Sequence, residues 1–444
     1  MKQLSFKDIF FIGLMVFALF FGAGNMIFPP ELGKESGTEV WTAIFGFLIT
    51  GVGLPLLGVI AIAISGSNLR DLSNRVHPIF GMIFTAVCYL VIGPFFAIPR
   101  TGAVAHEIGI TPFLSDSVNP NGWPLFIFSI IFFGITLWLS LNPTKLVDRI
   151  GKILTPILLI VIAIIVIKGI IDPIGTPGAP VNDYKGNPFF TGFLNGYLTM
   201  DAIASLIFGI IVINTIKQLG VTNKKVITRA TIGAGVVAAI GLALVYITLA
   251  FLGATSREAV GPTSNGGQLL TVVASILYGT TGQLLLGVAI TFACLTTAIG
   301  LVTSCAEYFN QVLPKIPYKW FVVIFTVFSA FVANIGLTQL IAFSTPVLTA
   351  IYPLTIVLIA LTFINKLAAV PRAVYAGALI GAGIISIFDG LKQAGIHIPV
   401  LESWLSHLPL NNIGIGWLIP SIVCGLIGLL LVKLRLVSQV ESHA

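Results

Sequence analysis

The sequence predicts an all-α polytopic membrane protein of about 12 transmembrane helices, built as a five-plus-five inverted repeat with two helices appended. Three observations carry this prediction. First, of 444 residues 57% are hydrophobic and 9% charged, against about 25% charged in a soluble globular chain. Such a chain cannot cover itself with polar groups in water, so lipid must be the solvent for most of it. Second, apolar runs of the roughly 20 residues that cross a bilayer recur along the whole chain. Third, basic residues gather in alternate connections between those runs.

The runs fall at 8–30, 40–65, 78–101, 124–141, 149–171, 192–216, 229–253, 281–312, 318–337, 339–364, 373–390 and 414–434. Lys2 and Lys7 ahead of the first run suggest a signal peptide. No small-x-small cleavage site follows, however, and the run leads into Gly22-Ala23-Gly24-Asn25 and Pro29-Pro30. It is therefore expected to be retained as the first span. The stretch 266–280 is amphipathic and too short to cross, and is expected as a re-entrant or surface helix. The four cysteines lie inside apolar runs without paired spacing and read as small core residues.

With the N-terminus cytoplasmic, 17 of the 23 Lys and Arg fall inside: Lys2, Lys7, Arg70, Arg75, Lys145, Arg149, Lys152, Lys217, Lys224, Lys225, Arg229, Lys315, Lys319, Lys366, Arg372, Lys433 and Arg435. Lys34, Arg100, Lys168, Lys185, Arg257 and Lys392 fall in or near outside segments. The net charge of +7 is thus a topology signal spread over many connections, which excludes a nucleic-acid interface. An even helix number with both termini cytoplasmic follows, in a bacterial inner membrane.

The connection 172–188 and its counterpart between the third and fourth spans are rich in Pro, Gly, Asn and Asp, so residues 1–444 read as one transmembrane domain. Five spans occupy 8–172 and five more 192–365, with two further helices in 373–434. Because five is odd, two consecutive five-span units lie in the membrane with opposite orientation.

Two spans carry breaks. In the first, Gly22, Gly24 and Asn25 weaken the helix at mid-membrane, where freed amides and carbonyls are tolerable only if they line a cavity or meet a ligand. Small-residue packing of the GxxxG type is the alternative. In the sixth, Leu194-Asn195-Gly196-Tyr197-Leu198-Thr199-Met200-Asp201 supplies a second irregular stretch, with Asp201 as the acidic residue placed deep in a span. An ionisable group there is expensive and is a site hypothesis by default. It can neutralise an ammonium, ligate a cation, carry a proton or cap the second half-helix. Amides at a half-helix N-terminus suit a carboxylate, and unwound carbonyls suit a cation. In the eighth span, Ala293, Thr296 and Thr297 share a helix face and offer one carbonyl and two hydroxyls, hard-oxygen chemistry suited to Na+. Back-bonding of both hydroxyls to the preceding turn is the bland alternative.

Gly93-Pro94-Phe95-Phe96-Ala97-Ile98-Pro99-Arg100 closes the third span. Phe95, Phe96 and Ile98 are candidates for an apolar pocket wall, with Arg100 gating it against Glu107 or simply sitting at the interface. Ser344-Thr345-Pro346 is a hinge or lining candidate in the tenth span, or a plain proline kink. The histidines have no ligand spacing, and there is no Walker loop, GxSxG elbow or nucleophile–base pair, so an enzyme is not expected.

The segments FALFFGAGNMIFPPELG (17–33), GPFFAIPRTGAVAHE (93–107), GYLTMDAIASLIFG (196–209) and ACLTTAIGL (293–301) resemble the branched-chain amino acid:cation symporters, bacterial system II carriers, over essentially the whole chain. That family is similar in turn to the leucine-transporter fold. The resemblance implies sodium-coupled uptake of leucine, isoleucine and valine, with a proton as the alternative coupling ion. It implies Na+ ligands near Ala23 and Met26, at Ala293, and at the Thr296 and Thr297 hydroxyls. The implied substrate site takes Gly22, Ala23, Gly24, Asn25, Phe95, Ile98, Tyr197, Leu198, Thr199 and Asp201. The second ion site of some relatives uses an Asn in the seventh span, which this sequence lacks. Substrate and lipid are the expected partners, with no obligate protein partner.

Overall fold

Ser5 starts the first helix in a capping box. Its hydroxyl accepts from the Asp8 amide at 3.2 Å, and the Asp8 carboxylate accepts from the Ser5 amide at 2.9 Å. The computed structural model describes residues 4–115, 117–141 and 145–434. Its first helix, α1, spans Phe6–Phe20, and the chain then breaks before α2, Ala23–Ser36. Next come α3 (Val40–Leu48), a π-turn at Ile49–Gly53, α4 (Leu54–Ser65) and the short α5 (Leu69–Asn74). The third run is α6 (Pro78–Leu90) and α7 (Ala97–Gly109); α8 (Trp123–Leu141) and α9 (Lys145–Ile171) follow. The sixth run is α10 (Pro188–Asn195), a 3-10 turn at Gly196–Thr199, and α11 (Asp201–Gln218). The remainder is α12 (Lys224–Val260), α13 (Gly266–Val312), α14 (Tyr318–Ala333), α15 (Leu337–Leu367), α16 (Arg372–Gln393), α17 (Pro399–Ser406) and α18 (Leu418–Lys433).

Eight helices among the described residues are long and apolar enough to cross a bilayer, and three apolar helices are shorter. The number falls below twelve partly because the first run is divided into pieces of 15 and 14 residues. The third span also runs further than the expected 78–101. Pro94 cannot donate to the helix ladder, the backbone widens through a π-turn with Gly93 at φ −98°, ψ −125°, and the helix then resumes to Gly109. The 266–280 stretch is a helix ending at Gly279, whose φ of +60° turns the chain into the eighth span. It is no surface element, since Leu269, Leu270, Val273 and Ala274 are buried. Three of the cysteines, Cys88, Cys294 and Cys305, are buried, and all four are free thiols.

Connections from the two halves of the chain meet in two clusters. At one end Thr38 N–H donates to Gly178, Val181 N–H to Glu35, and Lys34 reaches Thr263 Oγ1 at 2.5 Å. At the other, Arg372 Nε donates to the Val76 carbonyl at 2.8 Å and Thr228 Oγ1 to the Ala63 carbonyl at 3.3 Å. Lys2 and Arg435 lie outside the described residues, as do the side chains of Lys145, Arg149 and Lys152.

Packing pairs the two broken spans reciprocally. Halves α1 and α2 lie on α12, and halves α10 and α11 lie on α3 and α4. The seams are backbone against backbone: a Cβ on Gly33 would fall 1.8 Å from the Ala250 carbonyl oxygen, and one on Gly253 2.0 Å from that of Pro30. The α3–α10 seam is the same device, with Gly46 against Phe189 and Gly192 against Ala43, both at 2.0 Å. Exchanging the first span with the sixth and the second with the seventh maps one seam onto the other, as an inverted repeat demands. A second group of helices, α7, α8, α9, α13 and α14, packs beside this one.

A methyl at Gly192 therefore has nowhere to go, while Gly186 has open space around it. Gly192→Ala is expected to cost about 1–3 kcal/mol by overpacking and to lower the thermal unfolding midpoint in detergent, with Gly186→Ala unchanged. Equal midpoints for the two variants contradict the seam.

Candidate functional site

The break in the first span is made by an extended Gly22 (φ −118°, ψ −166°) between two helices that each end or begin there. Phe21 N–H still closes on the Phe17 carbonyl at 2.8 Å, and Gly22 N–H turns to the Asn25 side-chain oxygen at 3.1 Å. The first amides of α2 have no carbonyl in their own helix to accept from them. Asn25 is thus both a local cap for the break and, through its amide nitrogen, the start of a longer connection.

In the sixth span the break turns on Met200, held at φ +65°, a conformation costly for a residue with a Cβ. Met200 N–H donates to the Tyr197 carbonyl at 3.1 Å and Thr199 Oγ1 to that of Gly196 at 2.9 Å, which tightens the turn. Asp201 then opens α11, its own amide donating to Thr199 Oγ1 at 3.3 Å. A carboxylate in the first turn of a helix is favoured by the helix dipole.

The two breaks meet through Asp201. Asn25 Nδ2 donates to Asp201 Oδ2 at 2.5 Å and also contacts the Tyr246 hydroxyl. Tyr246, from the middle of α12, donates to the same Asp201 oxygen at 3.0 Å. All three side chains are buried, at 2%, 3% and 0% exposure for Asn25, Asp201 and Tyr246. One carboxylate oxygen therefore ties together three helices from both halves of the chain. Phe47 stands edge-on to Tyr246, ring centroids 5.4 Å apart, and holds it in place from α3.

Arg100 completes the group, contrary to its expected position at the interface. It is 3% exposed, and Nη1 donates to the Leu198 carbonyl at 2.7 Å. Its guanidinium lies 5.3 Å from the Phe28 ring centroid, and a Cβ on Gly24 would stand 2.9 Å from Nη1. The expected Arg100–Glu107 gate is not formed, because Glu107 accepts from Gln268 Nε2 at 2.7 Å. Glu107 is itself 5% exposed, so Asp201 is not alone as a buried carboxylate.

The other predicted residues divide. Gly22, Ala23, Gly24, Asn25, Tyr197, Leu198, Thr199 and Asp201 lie on the two breaks, and Tyr197 stacks on Tyr352 at 4.3 Å. Ile98 is fully buried, two residues before Arg100 in the first turn of α7. Phe95 is not brought to the breaks in this way. It is 40% exposed and packs on Phe96 and on the half-exposed Phe328 of α14. It is the last residue of the π-turn, and its ring faces outward.

Ala293, Thr296 and Thr297 do converge: both hydroxyls donate to the Ala293 carbonyl, at 2.9 and 3.0 Å. Each hydroxyl keeps its lone pairs while donating its proton, so back-bonding leaves oxygen acceptors facing outward. Thr297 stands beside the first break, its methyl 3.4 Å from where a Cβ on Gly22 would be. Met26 is buried one turn further along α2. In the tenth span Ser344 and Thr345 both bond to the Ile341 carbonyl, and the helix continues through Pro346. A cavity of about 160 Å³ lies over the site at the end where Lys34 and Thr263 meet. It reaches Phe28 and Leu198, and Glu31, Asn195 and Thr338 are among its walls.

Tyr246 is not singled out from the sequence, and Arg100 enters only as a gate against Glu107 or an interface residue. Tyr246 is the one tyrosine of α12, set in the apolar run Gly241–Val245, and its phenol was the available signal, since a hydroxyl at that depth needs a partner. Arg100 follows Phe-Phe-Ala-Ile-Pro, and its depth depends on how far the third span continues past 101.

Residues 5–435 match the family described as branched-chain amino acid transport proteins. The chain is 55% identical over 430 residues to the branched-chain amino acid permease BraB of Bacillus subtilis, covering 97% of this chain and 96% of that protein. It is 45% identical to the branched-chain amino acid transport system 2 carrier protein of Pseudomonas aeruginosa, over 95% of each, and 42% identical to the permease BrnQ of Escherichia coli K12, over 95% and 94%. Mhp1 in its inward-facing conformation shares the fold at TM-score 0.62 and 17% identity, over 98% of this chain and 93% of that one. MhsT in complex with L-phenylalanine does so at TM-score 0.54 and 17% identity, over 98% and 99%. The all-helical architecture is thus the leucine-transporter-like one that the sequence predicts.

Because Asn25 and Tyr246 share one carboxylate oxygen, their losses are expected to couple. Asn25→Ala and Tyr246→Phe each lower the unfolding midpoint, and the double variant departs from additivity by about 0.5–3 kcal/mol. Strict additivity in denaturant titrations contradicts the shared bond.

Proposed function

The chain belongs to the branched-chain amino acid transport protein family, and on that premise we propose that it carries leucine, isoleucine and valine into the cell together with Na+, by alternating access at the gap between its two broken helices. The observation that carries the reading is the meeting of two half-helix junctions at one buried carboxylate, Asn25 to Asp201, at the level of the Tyr246 hydroxyl. Irregular backbone at membrane depth is tolerated where protein groups or a cavity satisfy it, and a zwitterion offers both charges to the groups left over. The α2 amides suit its carboxylate. The carbonyls of Tyr197–Thr199 and the Asp201 side chain suit its ammonium. Buried Ile98 belongs to the apolar surroundings of the branched side chain.

The coupling ion is Na+, held by the Ala293 carbonyl, the Thr296 and Thr297 hydroxyls, and carbonyls of the Ala23–Met26 stretch. The support is the clustering of three α13 oxygens beside Gly22. By tying α13 to the first break, the ion joins the two packed groups of helices, and its departure lets them part. One positive charge moving through 100 mV contributes about 2.3 kcal/mol to uptake. The basic connections argue for cytoplasmic termini in a bacterial cell membrane.

A second reading, proton coupling, rests on Asp201, a carboxylate 3% exposed at the centre of the site. The two are separated by leucine uptake into proteoliposomes. A sodium gradient is expected to drive accumulation at constant pH; accumulation without sodium that follows a pH gradient overturns the sodium assignment.

Thr297→Ala is expected to raise the half-saturating Na+ concentration about tenfold or more, equivalent to one lost ligand of roughly 1.4 kcal/mol, with unchanged protein abundance. Wild-type sodium dependence in that variant removes Thr297 from the ion site. Asp201→Asn keeps the shape but not the charge, and is expected to abolish coupled accumulation; unchanged leucine affinity and coupling reduce Asp201 to a scaffold role.

A further inference from the structure

We propose that Arg100 recognises the substrate's α-carboxylate, completing an anion site whose other half is the N-terminus of α2. The inference rests on the amino-acid transport reading and deepens it, since the carboxylate is otherwise left to backbone amides alone.

Three independent features point to an anion. Arg100 is 3% exposed, yet its Nη2 has no hydrogen-bond acceptor among the described residues, while Nη1 is satisfied by the Leu198 carbonyl. A buried cation with an unused donor is costly unless an anion arrives to share it. The guanidinium also presses on the first turn of α2, with Nη1 2.9 Å from the position of a Gly24 Cβ. That turn has free amides and the positive end of a 14-residue helix dipole. Two positive elements meet there, an arrangement that favours a negative charge beside them, within reach of both.

The third feature concerns the acidic residues nearby. Asp201 is within electrostatic reach of Arg100, but its carboxylate is bonded by Asn25, Tyr246 and Thr199, and no hydrogen bond joins it to Arg100. Glu107, two turns along α7, is bonded by Gln268. Neither supplies the missing acceptor. The cavity above the site is walled in part by Phe28 and Leu198, the two residues on which the guanidinium rests, so a small solute in it is one side-chain layer from Arg100. The chemistry selected is one planar carboxylate on a small apolar body, with Phe28 shielding the guanidinium face from water.

The test is equilibrium competition against radiolabelled leucine on purified wild-type, Arg100→Lys and Arg100→Gln proteins, using leucine and leucinamide, which keeps the ammonium and side chain and lacks the carboxylate. Wild type is expected to prefer leucine over leucinamide by about a hundredfold or more, in line with a lost charge-assisted contact. Arg100→Gln is expected to lose most of that preference, with leucine binding weakened at least about tenfold and leucinamide little changed, and Arg100→Lys falls between them. An unaltered leucine-to-leucinamide ratio in Arg100→Gln, in protein that elutes as wild type does, overturns the proposal. Equal affinity of wild type for the two compounds overturns it without any variant, which covers the case in which Arg100→Gln does not fold. If wild type binds no leucine, the transport reading itself fails and this proposal with it, a result distinct from binding that ignores the carboxylate.

Discussion

A helix can be interrupted inside a bilayer only if the amides and carbonyls it frees find partners, and the rest of this structure is organised around that requirement. At Gly22 the partner is local, the side-chain oxygen of Asn25. At Met200 it is the turn itself, through Tyr197 and Thr199. What makes the two repairs one site is that Asn25 spends its remaining nitrogen on Asp201. The desolvation of that carboxylate is offset by donors from two other helices, so neither break has its geometry independently of the other.

Much of this was legible in the sequence, and the reasons are physical. The apolar runs follow from bilayer thickness, and the breaks from paired glycines and an acid at depth, all of which are local properties. The convergence of Thr296 and Thr297 on Ala293 follows from helix periodicity alone. Phe95 and Arg100 failed for a common reason. The π-turn at Val91–Phe95 adds a residue to the helical count, so side chains in it and after it face directions that regular periodicity does not give. Phe95 moved outward, and Arg100 moved into the core. Tyr246 escaped because its role depends on which helix lies opposite, which is a property of the packing and not of its own segment. The 266–278 helix was too short to cross, as read, but its burial depends on α2 and α7 being there to cover it.

The site is also divided between two packed groups. Asn25, Asp201 and Tyr246 come from the helices of the first, whereas Arg100 and the threonine pair come from α7 and α13 of the second. Contacts within the first group hold the broken helices in register with each other. Contacts between the groups are of two kinds: at the site Arg100 donates to the Leu198 carbonyl and the Thr297 methyl stands beside Gly22, whereas further along α2 the start of α13 packs backbone to backbone, a Cβ on Gly266 falling 1.8 Å from the Ile27 carbonyl oxygen. A bound ion or solute at the site adds to the contacts between the groups and so can shift how they sit.

The glycine seams have a mechanical corollary. Where Gly33 and Gly253, or Gly46 and Gly192, let two backbones touch, no side-chain rotamer lies between the helices to absorb a relative slide. Each seam behaves as a weld, and α2 with α12, like α3 with α10, can turn only as a single lever. The compliance any such lever needs must then sit at Phe21–Gly22 and at Met200, where the ladder of helical hydrogen bonds is already open and bending costs no further bond.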